Sequence, residues 1–173
     1  MDSQHLGSSF LEPKILYHNN GNGTFADISA NAGPAIKAES SARGLAVGEL
    51  WNDGRMSAVI SNMSAPPMLL VNDLRNGNHW ITFRTVGTKS NRDGIGAKIA
   101  VKVGSRTLVD EVRSGSSYDS NNDIRMHLGL GAAAKMDSVQ VRWPSGLVER
   151  FENLAADSIH TLKEGSGIPS EKK

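Results

Sequence analysis

Three stretches of this sequence set chemically active side chains at regular spacing. The first reads Glu49-Leu50-Trp51-Asn52-Asp53-Gly54-Arg55-Met56-Ser57. It has the rhythm of a calcium loop, in which alternate residues of a tight turn aim oxygens at one centre and a glycine allows the bend. Glu49, Asp53 and Ser57 offer side-chain oxygens and Arg55 a carbonyl, but Trp51 stands where a carboxylate is wanted. The expectation is a loop that keeps its turn through Asn52-Asp53-Gly54 and binds calcium weakly or not at all. No other cofactor is implied. The second stretch alternates Asp119, Asn121 and Asp123, but Ile124 follows where a calcium loop turns on glycine, so a solvated polar turn is expected.

The third stretch could be drawn as a hydrolytic set. Ser114, Ser116, Ser117 and Ser120 precede His127, with Asp110, Asp119 and Asp123 nearby. A serine nucleophile needs a base that is itself oriented by a third group. No Gly-x-Ser-x-Gly elbow is present, and no partner for His127 is identifiable beyond the loop aspartates. Serines in a Gly-rich loop are turn formers, so catalysis is not expected here. Gly129-Leu130-Gly131-Ala132-Ala133-Ala134 mimics a dinucleotide fingerprint but lacks room for the long crossover helix that such glycines open, and Gly94-Ile95-Gly96 leads into a strand. Asn22-Gly23-Thr24 and Asn62-Met63-Ser64 match the glycosylation sequon, which matters only in a eukaryotic secretory route. Trp80, Trp143 and Tyr118 could stack on a sugar ring. Trp143, which shares a strand face with Val139 and Val141, reads as core instead.

The elements that carry these residues are short strands. Gly 18 and Pro 6 interrupt the chain often, and almost no window holds a helical apolar stripe. Ile15 to Tyr17 and Phe25 to Ile28 flank an Asn/Gly-rich reversal, the signature of a hairpin. Gly44 to Gly48, Ser57 to Asn62 and, after a break at Pro66-Pro67, Met68 to Asn72 give one small antiparallel sheet. Further on, Ala97, Ile99, Val101 and Val103 alternate with Lys98, Ala100 and Lys102, and Gly104-Ser105 turns that strand into Arg106 to Val112. Ser138 to Trp143 returns through Pro144-Ser145-Gly146 as Leu147 to Phe151. With Trp80 to Val86, Ile124 to Leu128 and Ile159 to Leu162, the second half holds about seven strands, which suits a sandwich or open barrel. Helix is expected only near Ala132 to Lys135.

Composition narrows the partners. The chain of 173 residues can bury a sizeable core, and its formal charge of +1 gives no bulk attraction for nucleic acid or a membrane surface. Four basic and seven acidic residues lie up to Asp73, fifteen and eleven after it, so the halves carry −3 and +4, one hint of two units. Cysteine is absent, which excludes disulfides, thiolate metal sites and a Cys nucleophile. No apolar run approaches the roughly 18 residues of a membrane span, and Met1 to Ile15 lacks the pattern of an export signal.

Leu16 to Ile28, followed by Ala42-Arg43-Gly44-Leu45-Ala46-Val47-Gly48 and Asn52-Asp53-Gly54, resembles an FG-GAP/VCBS repeat, the blade unit of integrin-like β-propellers. Asn91 to Ala97, Ser114 to Ser120, His127-Leu128-Gly129-Leu130-Gly131 and Val141-Arg142-Trp143-Pro144-Ser145-Gly146 resemble the ASPIC/UnbV domain, which typically follows such a propeller. The resemblance implies an all-β protein, with a flexible leader over 1–13, one degenerate blade over 14–73 and a joint near Asp73 to Asn78. An ASPIC/UnbV antiparallel sandwich or barrel over 79–163 and a flexible tail over 164–173 complete it. It further implies a secreted, periplasmic or surface location and non-catalytic recognition or adhesion. The partner would be a protein or a glycan, bound on the loops of Gly94 to Gly96 and Gly115 to Asp123, above all at Tyr118, Asp119, Ser120, Asn121 and Asn122. A lone blade cannot close a ring, so the chain is expected to be the C-terminal piece of a longer propeller protein, or a shortened relative whose blade packs on the second domain or on another chain, with upstream blades or self-association through blade edges as further partners. The rival expectations are a hydrolase working through the Ser114 to His127 loop and a structural end-cap for a propeller.

Overall fold

A computed structural model describes residues 10–170. Among the described residues thirteen strands alternate with turns, and helix is limited to a 3-10 turn (Ser29–Asn31) and one short helix, α1 (Pro34–Lys37). The sequence pattern placed helix at Ala132 to Lys135. That stretch is instead a turn with a single bridge from Lys135 to Ala155. The helical turn forms where Pro34 supplies a preset φ at the first position, which periodicity cannot register in four residues.

The first unit holds a two-stranded hairpin, β1 (Tyr17–Asn19) and β2 (Phe25–Asp27), and a three-stranded sheet, β3 (Ala42–Gly48), β4 (Ser57–Asn62) and β5 (Ala65–Leu70), in that order and antiparallel. Pro66 and Pro67 do not break β5. It is an edge strand, so the missing N–H groups fall on its unpaired side or at the bulge between Ile60 and Asn62, and Asn62 Nδ2 donates to the Pro66 carbonyl at 2.8 Å.

The second unit is a sandwich of two open sheets. One has the order β12 (Ser158–Lys163), β6 (His79–Val86), β9 (Met126–Gly131). The other has the order β13 (Ile168–Pro169), β11 (Val148–Phe151), β10 (Ser138–Arg142), β7 (Lys98–Val103), β8 (Arg106–Glu111). Neither sheet closes on itself, so of sandwich and barrel the sandwich is the outcome. All pairs are antiparallel except β12 with β6, where Asp157 N to Trp80 O at 2.7 Å and Glu164 N to Val86 O at 2.9 Å bracket a parallel register.

Strand alternation builds the core between the sheets. Ile81 and Phe83 face inward from β6, Ile99, Val101 and Val103 from β7, Val139 and Val141 from β10, and Leu162 from β12. Trp143 is 1% exposed and donates its indole N–H to Glu149 Oε2 at 2.6 Å. Burying the ring without a partner for that N–H would cost part of its hydrophobic gain. Glu149 in turn accepts from Gly165 N at 3.0 Å and Gly167 N at 2.9 Å.

The stretch 164–170 is no loose tail. Glu164 is 2% exposed, β13 pairs with β11, and Ser170 N donates to the Val148 carbonyl. Residues 171–173 lie outside the described residues. At the other end, Glu12 and Ser40 exchange both backbone hydrogen bonds, so the ordered chain reaches back into the expected leader, whose residues 1–9 lie outside the described residues.

Candidate functional site

Period-2 alternation that sends Ile81 and Phe83 inward leaves Trp80 and Thr82 on the outer face of β6, and likewise His127 and Gly129 on β9. The register pairs Thr82 with His127 and Trp80 with Gly129, so these four residues form one patch. The Trp80 and His127 rings stack with centroids 6.0 Å apart and planes at 16°. The loop between β3 and β4 lies directly on this patch. Asn52 takes φ 56 and Gly54 φ 80, which bends the loop tightly enough to set the Gly54 backbone on the Trp80 indole, where any Cβ would overlap the ring.

Glu49 is the centre of the contact. Its carboxylate side chain is 1% exposed and accepts from Gly54 N at 3.1 Å, from His127 Nδ1 at 2.9 Å and from the Thr82 hydroxyl. Thr82 Oγ1 also lies 3.0 Å from His127 Nδ1. Arg125 completes the contact, donating to the Glu49 carbonyl at 3.2 Å, to Asn52 Oδ1 at 2.6 Å and to the Asp123 carboxylate at 2.5 Å. Burial alone would raise the Asp123 pKa. The Arg125 hydrogen bonds and charge outweigh it and leave the carboxyl below its ordinary range, with Arg125 correspondingly raised.

The loop expected to carry a ligand lies against the outer edge of β3. Ser120 Oγ donates to the Leu45 carbonyl at 2.7 Å, Val47 N donates to Asn122 Oδ1 at 3.0 Å, and Asp123 N donates to the Val47 carbonyl at 2.8 Å. Asn122 Nδ2 also donates to Ser116 Oγ at 2.6 Å. The β3 edge of the first sheet is thereby covered by side chains and backbone of the second unit. Of the five residues, Ser120 and Asn122 are engaged in this joint, while Tyr118, Asp119 and Asn121 stay exposed, Tyr118 at 71%.

The side chains of the four calcium-loop candidates are engaged as well. Glu49 faces the donors above. Asp53 accepts from Arg55 Nε at 2.9 Å and Nη2 at 2.5 Å, which together hold its pKa below the usual carboxylate value. Ser57 is buried and accepts from Asn72 N at 3.3 Å. No group of three or more His, Cys, Asp or Glu side chains is placed to hold a metal among the described residues. Nor does a hydroxyl of Ser114, Ser116, Ser117 or Ser120 bond His127 among the described residues. The orienting carboxylate of His127 is Glu49, 78 residues away, which local sequence reasoning missed.

Beside the patch opens a polar cleft of about 710 Å³, formed by the loop at Asp53 to Arg55, the joint at Asn72 to Asn78 and the outer face of β6 and β9. Its lining includes a hydrogen bond between His79 Nδ1 and Asp157 Oδ2 at 2.6 Å, and Asp157 also accepts from Trp80 N. A second cleft, of about 730 Å³, is more apolar and lies wholly on the first unit, among Ile15, Leu16, Ile36, Val47, Ile60 and Leu70.

These features define a two-part all-β protein whose reactive-looking side chains cluster where the parts meet. Residues 87–169, which span most of the sandwich and include β13, match the family described as ASPIC and UnbV. Cartilage acidic protein 1 of Mus musculus is 33% identical over 76 residues, and its counterpart from Homo sapiens is 32% identical over 76 residues. In each case the match covers 44% of this chain and 11% of the relative, so the chain spans a small part of the length of the curated relatives it matches.

Proposed function

We propose that this chain is a non-catalytic recognition module of a secreted, periplasmic or surface protein, in which an FG-GAP/VCBS-type blade is joined to an ASPIC/UnbV sandwich within a longer propeller. The observation that carries the reading is the engagement of the candidate catalytic groups. Ser120 donates to the Leu45 carbonyl and His127 turns Nδ1 to Glu49 across the joint, Ser116 accepts from Asn122 within its own loop, and none faces another as nucleophile and base.

The longer propeller is supported by the unburied apolar surface. Fifteen of the eighteen large apolar side chains left exposed among the described residues precede residue 75, and only Ile60 of that unit joins the buried apolar set. A sheet with apolar side chains on both faces is built to be covered, and neighbouring blades would cover it. The similarity to a protein named for cartilage supports placing the module outside the cell, with a protein or glycan as its partner.

One observation favours hydrolysis: Glu49 orients His127 in the manner of a carboxylate behind a general base. The test is a screen of the purified chain against ester, glycoside and phosphate substrates. The recognition reading expects no turnover above background. Turnover that His127→Ala or Ser120→Ala removes would replace it with the hydrolase.

A further inference from the structure

The polar cleft at the joint has a defined set of unengaged groups. Its volume of about 710 Å³ falls inside the roughly 300–1,000 Å³ of small-molecule sites. Four groups on its lining have no hydrogen-bond partner among the described residues: the Trp80 indole N–H, His127 Nε2, the Asn78 side-chain amide and the Arg75 guanidinium. The acidic groups on the lining are already engaged, Asp53 by Arg55 and Asp157 by His79. A metal ion or a cationic ligand would therefore find no free carboxylate there.

The orientation of His127 decides what the cleft can hold. A carboxylate only accepts, so the 2.9 Å contact from Nδ1 to Glu49 puts a proton on Nδ1 and leaves Nε2 as the ring nitrogen without a partner among the described residues. Trp80 Nε1 is a donor only. Two ring nitrogens without partners thus sit on rings whose centroids are 6.0 Å apart. A hydroxyl suits both, since it accepts from Nε1–H and can either donate to or accept from Nε2. The Asn78 amide, also on the lining, adds a donor and an acceptor suited to neighbouring hydroxyls. Space is provided by Gly129, which lies opposite Trp80 in the register and lines the cleft, and at which a Cβ would meet nothing within 4 Å.

We propose that this cleft is a saccharide site, in which Glu49 acts as the positioning residue for His127 and the sugar hydroxyls bridge His127, Trp80 and Asn78. The proposal rests on the recognition reading and names its ligand class. The apolar cleft on the first unit is a weaker candidate, because it lies on the surface that further blades would cover.

The test is a titration of the full chain with the methyl glycosides of glucose, galactose, mannose and N-acetylglucosamine and with their β-linked disaccharides, up to about 50 mM. The Trp80 indole N–H resonance is the readout. At least one sugar should saturate with a millimolar dissociation constant and move that resonance. Gly129→Val, which fills the cleft with a residue suited to a strand, should weaken binding at least about tenfold while leaving the denaturation midpoint unchanged or higher. Asn78→Ala, on the exposed joint, should weaken it severalfold. Failure of every probe to saturate would overturn the proposal, as would binding that survives both substitutions. Hydrolysis of a bound glycoside would leave the site in place and overturn the non-catalytic reading. A protein partner captured by a chain that binds no sugar would do the reverse.

Discussion

Glu164 is the most exacting test of the sandwich, because its carboxylate gathers five donors from two loops. Oε2 accepts from the backbone N–H of Thr88 at 2.7 Å, Lys89 at 2.8 Å and Ser90 at 2.8 Å, and Oε1 from Ser90 Oγ at 3.0 Å and Ser145 Oγ at 2.5 Å. Burial alone would push this carboxyl up. The Ser145 hydroxyl and the N–H groups of Ser90, Thr88 and Lys89 outweigh burial and hold it down, to about 2 from an ordinary value of 4.5. The folded state therefore holds its proton less tightly than the unfolded chain. The stability that Glu164 contributes is present in full above the unfolded value of 4.5 and is lost as pH falls through about 2. Glu164→Gln keeps the shape but replaces charge-assisted bonds, roughly 1.5–3 kcal/mol each, with neutral ones of about 0.5–1.5 kcal/mol. Over three backbone N–H groups the loss is about 3 kcal/mol, or about 6–12 °C in melting temperature for a chain of this size. Urea unfolding followed by tryptophan fluorescence measures it. Near neutral pH the wild type should exceed the variant by that amount, and the difference should shrink through the acid range and vanish near the folded pKa. An equal midpoint at neutral pH, or a difference that persists in acid, would refute the reasoning.

Other expectations follow from single contacts. Trp143→Ala removes the largest buried side chain and its bond to Glu149, and should cost about 3–5 kcal/mol by denaturant unfolding. Gly54→Ala places a methyl group in the Trp80 ring at a backbone φ of 80, so it should destabilise by about 1–3 kcal/mol and make the joint more susceptible to protease. Calorimetry should show calcium binding no tighter than roughly millimolar. Micromolar affinity lost in Asp53→Ala would mean that the Arg55 pair opens to admit the ion.

Much of the sandwich was legible because its core strands alternate strictly. Val139, Val141 and Trp143 share a face in the sequence pattern and share the core in the structure. Hairpin turns were equally readable, since Gly104 and Gly146 adopt the positive φ that their turns require. What escaped was set by tertiary context. Pro66 and Pro67 read as a break until β5 is known to be an edge, and the parallel register of β12 on β6 joins segments 77 residues apart, with no local signal. Lys163 to Lys173 looks like a charged tail by composition, yet Glu164 is drawn inward by donors from Thr88 to Ser90 that no periodicity reports. The contacts of the candidate site escaped for the same reason. The residues on the 115–123 loop were visible as polar, but their partners on β3 and the Glu49 contact of His127 lie more than 70 residues distant.

Hydrogen exchange at two backbone amides tests the joint most directly, because every functional statement depends on these loops being bound to each other. Val47 N–H is bonded to Asn122 Oδ1 and Asp123 N–H to the Val47 carbonyl, each across the two units. Both should exchange slowly, opening together and with a free energy close to that of the sandwich strands, and Asn122→Ala should speed both. Exchange at the rate of an exposed loop, unchanged by Asn122→Ala, would mean that the Gly115 to Asp123 loop is free of β3 and that its serines and His127 are available for chemistry after all.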